Sequence, residues 1–123
     1  MIETIVLDYL TNQMTNDQTT VPVFMEIPEI PSEDYPTMPE RFILVEKVGG
    51  GLTDHINSGS IAVQSYSLNS LYDAAILDEE VRGVMLNMVT QSAISGIRLA
   101  SNYNHTDTRT KRYRYQSVFE IYF

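Results

Sequence analysis

Apolar residues at the start of the chain recur with helical spacing. Ile2, Ile5, Val6, Tyr9 and Leu10 fall at i, i+3, i+4, i+7 and i+8, which lays one apolar stripe along a helix over residues 1–10. Residues 11–20 are polar and rich in Asn, Gln and Thr, a connection into an extended segment. Residues 21–26 read as that strand, with Pro22 marking its start or a sheet edge, because a prolyl nitrogen has no hydrogen to give to a ladder. Pro28, Pro31, Pro36 and Pro39 interrupt the next stretch, which is expected to be a loop. Residues 41–48 begin apolar on both alternating faces, the pattern of a strand in the middle of a covered sheet. Gly49-Gly50-Gly51 is expected to end that strand as a hairpin loop. The chain returns through Ile56 and residues 60–66, where Ile61 and Val63 share one face and Ala62, Gln64 and Tyr66 the other, a half-buried antiparallel strand.

A longer helical period follows. Leu71, Ala74, Leu77, Val81, Val84, Met85 and Met88 keep the spacing of one stripe, and Ser70 three residues before Asp73 gives a capping-box-like start. Asp78-Glu79-Glu80 is expected on the wet face, since adjacent like charges seek water. Residues 97–103 and 113–123 alternate, and a polar loop between them makes a hairpin. In the last run Tyr113, Tyr115, Ser117, Phe119, Ile121 and Phe123 face one way, and Arg112, Arg114, Gln116, Val118, Glu120 and Tyr122 the other. The whole order predicts an α+β fold in a single domain spanning residues 1–123. The expected architecture is a two-layer sandwich: a mostly antiparallel sheet with two helices packed on one face.

Composition and charge narrow the chemistry. The 123 residues are 43% hydrophobic and 20% charged, which suits a domain able to bury its own core. Cysteine is absent, which removes disulfides, thiolate metal sites and a cysteine nucleophile. The first helix offers Glu3 and Asp8 where a membrane-surface helix needs bases, and no run reaches the roughly twenty apolar residues of a span, so no membrane partner is expected. The same acidic start lacks the basic region of a secretory signal, and a cytosolic product is expected. Sixteen acids against eight bases give a net charge of -8, which opposes retention of nucleic acid by the surface as a whole.

These charges are segregated. Glu26, Glu29, Glu33, Asp34 and Glu40 occupy the proline-rich stretch, whereas Arg109, Lys111, Arg112 and Arg114 are half of all the bases. Bases interleaved with tyrosine suit single-stranded nucleic acid. On so acidic a chain, however, one small cluster supplies few phosphate contacts, and pairing with carboxylates of another protein surface is favoured.

Candidate catalytic groups are sparse. His55 and His105 are the only histidines, each in a polar loop, and neither belongs to a close pair of the kind zinc sites use. Asp54 and Asp107 stand beside them, so a small-ligand or metal-dependent module would need the two loops to meet. No Gly-x-Ser-x-Gly elbow occurs. The triple glycine is not followed by the lysine of a phosphate-binding loop. No catalytic residue, cofactor or metal is expected.

Six stretches carry a family likeness: Phe42-Ile43-Leu44-Val45-Glu46-Lys47-Val48-Gly49-Gly50-Gly51, then Asp54-His55-Ile56 followed by Ala62-Val63-Gln64-Ser65-Tyr66, then Ser70-Leu71-Tyr72-Asp73-Ala74-Ala75, and finally Asn102-Tyr103-Asn104 with Tyr113-Arg114-Tyr115-Gln116. In order and spacing, nearly end to end, the chain resembles the small tail terminator or tail completion proteins of long-tailed bacteriophages and of prophages of Gram-positive hosts. The resemblance implies a non-enzymatic virion protein, made in the host cytoplasm and located at the head–tail interface. Such a protein forms a ring, commonly a hexamer, that caps the finished tail tube and docks to the head. Its partners are then itself, the major tail tube protein and a head-closure or neck protein. Related connector proteins share the size and α+β style, so a head-closure or neck position stands as the alternative.

A ring is built from head-to-tail contacts between unlike patches. Arg109, Lys111, Arg112 and Arg114 of one subunit are therefore expected to meet Glu29, Glu33, Asp34 and Glu40 of the next. A loop comprising Gly49, Gly50, Gly51, Leu52 and Asp54 is expected to contact tube or head, together with the proline loop. DNA crossing an acidic lumen is expected to pass without tight binding.

Overall fold

A computed structural model describes residues 2–15, 21–26, 37, 39–53, 56–104, 106 and 113–123, with the backbone alone at 50–53 and 56. Its elements are α1 (Ile2–Gln13), β1 (Val23–Phe24), β2 (Arg41–Thr53), β3 (Ile56–Ser67), α2 (Leu71–Leu86), a 3-10 turn (Asn87–Thr90), β4 (Gly96–Asn104) and β5 (Tyr113–Tyr122). The five strands form one sheet in the order β1-β2-β3-β5-β4. Every pairing is antiparallel except that of β1 with β2. The fold is α+β, as the periodicities predict.

Alternation decides where the core lies. Ile43 and Val45 of β2, Ile61 and Val63 of β3, and Phe119 and Ile121 of β5 share one face. They cluster with Ile2, Val6 and Leu10 of α1 and with Leu77, Val81 and Met85 of α2. Each such burial contributes about 1.5–3 kcal/mol relative to exposure. Ile5 and Tyr9 pack at the margin of the same cluster and complete the α1 stripe. At Gly59 a Cβ would stand only 3.2 Å from Ile2 Cγ2, so the absent side chain lets α1 settle closely on β3. The N-terminus of α2 forms as expected: Ser70 is extended, and its hydroxyl accepts from the Asp73 amide at 3.0 Å. This satisfies one of the donors that a helix start leaves open.

Several expectations are corrected. Glu3 is buried on α1 and faces Lys47 of β2, 3.5 Å away, so it does not belong to a polar outer face. Asp78 is 1% exposed and also leaves the wet face assigned to it, while Leu71 is exposed at the start of the α2 stripe. The strand expected over residues 21–26 shortens to Val23–Phe24 and runs parallel to β2, with the Ile43 amide donating to the Pro22 carbonyl at 2.9 Å. Pro22 thus stands at the start of an edge strand.

The glycines do not end β2. Gly49, Gly50 and Gly51 pair with Ser60, Gly59 and Ser58, and the ladder continues through Leu52 to Thr53 after a bulge at Val48. Ladder bonds use only backbone groups, and the small residues opposite leave the pairing unobstructed. Gly49, Gly50, Gly51 and Leu52 are therefore strand and not loop, and Asp54 lies outside the described residues. Finally, β3 is covered on both faces over residues 61–67, because Ala62, Gln64 and Tyr66 are buried along with Ile61 and Val63.

Candidate functional site

The second face of the sheet carries a polar and aromatic cluster at the end where β2 begins. Register places Phe42, Tyr66 and Arg114 in one row across β2, β3 and β5, and Gln64, Gln116 and Tyr103 in the next across β3, β5 and β4. Phe42 stacks on Tyr66 with ring centroids 4.5 Å apart and planes 9° from parallel. Phe24 of β1 closes on Phe42 at 6.1 Å. The Arg114 guanidinium carbon lies 5.6 Å from the Tyr66 centroid, a distance at which a cation gains from the negative ring face.

Hydrogen bonds continue the row sideways. Arg114 Nη1 donates to Tyr66 Oη at 2.8 Å and to Gln64 Oε1 at 3.4 Å. Tyr66 Oη donates to Gln64 Oε1 at 2.8 Å. Gln64 Nε2 donates to Gln116 Oε1 at 3.1 Å, and Gln116 Nε2 to Tyr103 Oη at 2.6 Å. The chain of bonds spans the sheet from β3 to the outermost strand, β4. Linked polar groups of this kind polarise one another and fix side-chain orientation. The cluster holds an arginine and presents Tyr103, 42% exposed, at its end.

A second network ties β4 down from the helix side. Asn102 Nδ2 donates to Asp78 Oδ2 at 2.8 Å and to Ser117 Oγ at 2.7 Å, and Ser117 Oγ donates to Asp78 Oδ1 at 2.8 Å. Arg82 Nε stands 3.2 Å from the same carboxylate, one turn along α2. Asn102 and Tyr103 are neighbours on opposite faces, so β4 is fastened from both sides. Arg41 Nε lies 3.3 Å from Asp73 Oδ2, which also accepts from Ser67 Oγ at 2.6 Å. The start of β2, the end of β3 and the start of α2 are thereby joined. At the other end of the sheet Arg98 and Tyr122 both donate to Glu120. The Arg98 bond first, and the Tyr122 bond second, hold the Glu120 carboxyl below its ordinary value of 4.5.

A groove of about 500 Å³ separates α1 from α2, lined in part by Tyr9, Met14, Val21, Arg41, Glu80 and Val84. Within it Arg41 is matched by Asp73, and the Tyr9 hydroxyl donates to the Val84 carbonyl at 3.0 Å. Burial pushes the Tyr9 hydroxyl above its usual pKa. Among the described residues no three His, Cys, Asp or Glu side chains come together as metal ligands. Among the same residues, no helix is long and apolar enough to cross a membrane.

Of the charged residues expected at an interface, Arg114 and Glu40 are described. Arg114 is held in the cluster above. Glu40 is exposed, and its carbonyl accepts from the Leu68 amide at 2.8 Å. Arg109, Lys111, Arg112, Glu29, Glu33 and Asp34 lie outside the described residues, as do His55 and His105. The points where those segments join the sheet are nevertheless fixed. Arg41, Ser67 and Tyr113 form one register row, so the acidic stretch enters β2, and the basic stretch enters β5, at the same end of the sheet. Sequence reasoning missed Asp78, Asn102, Ser117, Gln64 and Tyr66 as network members. Only Asp78 carried a local signal, since it stands four residues after Ala74 and three before Val81, on the buried stripe. No protein-family model and no curated protein matches the chain.

Proposed function

We propose that this chain is a structural subunit of a ring that caps the tail tube of a long-tailed bacteriophage and joins it to the head. The sequence resemblance supplies the reading. The observation that supports it most is the segregation of charge about one end of the sheet. The segment with Glu29, Glu33, Asp34 and Glu40 leads into β2, the segment with Arg109, Lys111 and Arg112 leads into β5, and β3 lies between those two strands. Oppositely charged segments that lead into separate strands suit head-to-tail contacts, and repeated rotation by a fixed angle closes such contacts into a circle. Loops at sheet ends are also the parts best able to adapt when rings of different origin mate.

Native mass spectrometry tests the contact. The wild-type protein is expected as a closed oligomer, and Arg112→Glu is expected to weaken it at moderate salt, where exposed ion pairs are only partly screened. Undiminished ring formation by the variant would count against the charge pairing. Electron microscopy of the protein mixed with tube subunits tests the location, and the absence of rings both alone and on tube ends would count against the whole reading.

A further inference from the structure

The groove between α1 and α2 extends beyond the cavity of about 500 Å³ described above. A second hollow of about 330 Å³, lined in part by Ile5, Asp8 and Ala93, shares Tyr9 and Gln13 with the first. The seam therefore follows α1 for about two and a half turns, from Ile5 to Met14. Carboxylates stand on its rim. Asp8, Glu79 and Glu80 are exposed, and none of them has an ion pair among the described residues. Arg41, the one base lining the seam among the described residues, is answered by Asp73. Gly83 keeps the seam wide, because a Cβ there would meet nothing within 4 Å. No contact within the subunit asks for a glycine at this point, and a glycine in a helix interior weakens the helix. Open space and unpaired negative charge thus coincide along one seam, and a cleft lined by one sign of charge concentrates its field on an incoming cation.

We infer that this seam is the seat for the basic segment of the next copy, the run that holds Arg109, Lys111 and Arg112. Charge selects that occupant. Of the chain's bases, Arg41, Lys47, Arg82 and Arg98 already face carboxylates, and Arg114 is bonded to Tyr66 and Gln64. The other three of the eight fall within four consecutive positions, and they answer the rim carboxylates one for one. Position agrees. Arg41 lines the seam and shares a register row with Tyr113, so the seam opens at the end of the sheet where the basic segment joins β5. Copies placed by rotation about an axis along the strands stand at equal height, and the segment of one meets the seam of the next without a rise. α2 packs on β3, β5 and β4, whereas α1 packs on β1 and β2. A segment rooted in β4 and β5 would therefore have to cross over α2 to reach the seam of its own subunit. Glu40 precedes Arg41 and is exposed, which makes the seam a continuation of the acidic frontage proposed above. The inference rests on the ring reading for the presence of a neighbour.

Charge exchange tests the seat. Glu79→Lys/Glu80→Lys replaces two exposed side chains of α2 and is expected to weaken the closed oligomer about tenfold in native mass spectrometry at moderate salt. Adding Arg109→Glu/Arg112→Glu to the same chain is expected to recover part of that loss, and no recovery overturns the inference. Gly83→Leu tests the space independently of charge. A Cβ has open room there in the free subunit, leucine favours the helix, and the side chain fills the seam, so a folded but dissociated protein is expected. Undiminished assembly of either seam variant overturns the inference, while the ring reading stands. A protein that stays monomeric in every form, even with tube subunits present, overturns the ring reading, and a synthetic peptide of residues 105–114 then decides the seam. Titrated into the isotope-labelled monomer, the peptide is expected to shift the Gly83 and Val84 amide resonances, and to bind Glu79→Lys/Glu80→Lys about tenfold more weakly. Shifts confined to other residues, or none, overturn the seat.

Discussion

A carboxylate among Ala74, Leu77, Val81 and Met85 is tolerable only when its oxygens are satisfied, and Asp78 meets that condition through Asn102, Ser117 and Arg82. Asp78→Ala removes the acceptor shared by the Asn102 amide and the buried Ser117 hydroxyl. Urea unfolding is expected to show a loss of about 2–4 kcal/mol, moderated because Arg82 can turn to solvent. Ser65 is the opposite case, since its hydroxyl is buried with no hydrogen-bond partner among the described residues. Ser65→Ala, measured the same way, is expected to leave stability within about 0.5 kcal/mol or raise it slightly. The two predictions mark how much was readable residue by residue. The run Asp78-Glu79-Glu80 argued for water by charge, and the helical spacing argued for burial of its first member. Spacing won at Asp78 because two polar partners on β4 and β5 wait opposite it. Those partners are 24 and 39 residues away in sequence, beyond the reach of any local pattern.

Elements with a long period were legible and elements defined by their neighbours were not. The stripes of α1 and α2, the Ser70 cap and the two faces of β5 follow from spacing alone. Arg114 was accordingly readable as sharing a face with Gln116, but its bonds to Tyr66 and Gln64 depend on the register between β5 and β3. The length of β2 was not readable, because three glycines have no strand preference of their own and extend the ladder only where Ser58, Gly59 and Ser60 lie opposite. Nor was the second face of β3, which is covered by contacts from other strands. At the start of α2 the cap is one of several ties, since Asp73 is also held by Arg41 and Ser67. Ser70→Ala is therefore expected to cost about 1 kcal/mol, the ordinary value for a lost cap. The check is a thermal melt, with helix content retained below the transition.

Taken as a whole, the molecule carries a charge of -8, and in the proposed ring that field would be multiplied around the opening. A phosphate backbone is repelled by such a wall, whereas tight binding requires bases that release counterions. The assembled protein is expected not to shift duplex DNA in a gel at physiological ionic strength, and firm retention there would contradict a conduit. Net charge and the separation of acidic from basic segments were plain in the sequence, but that both join the sheet at one end depended on strand order. The bulges at Val48 and Ala100 have a consequence of another kind, for descent with variation. Elsewhere in these strands the loss of one codon would turn every later side chain inside out, exchanging core for surface. At Val48 and Ala100 the loss would only regularise the pairing, since Lys47 and Gly49, and likewise Leu99 and Ser101, already oppose consecutive partners. Length variation in homologous strands should therefore gather at those two positions.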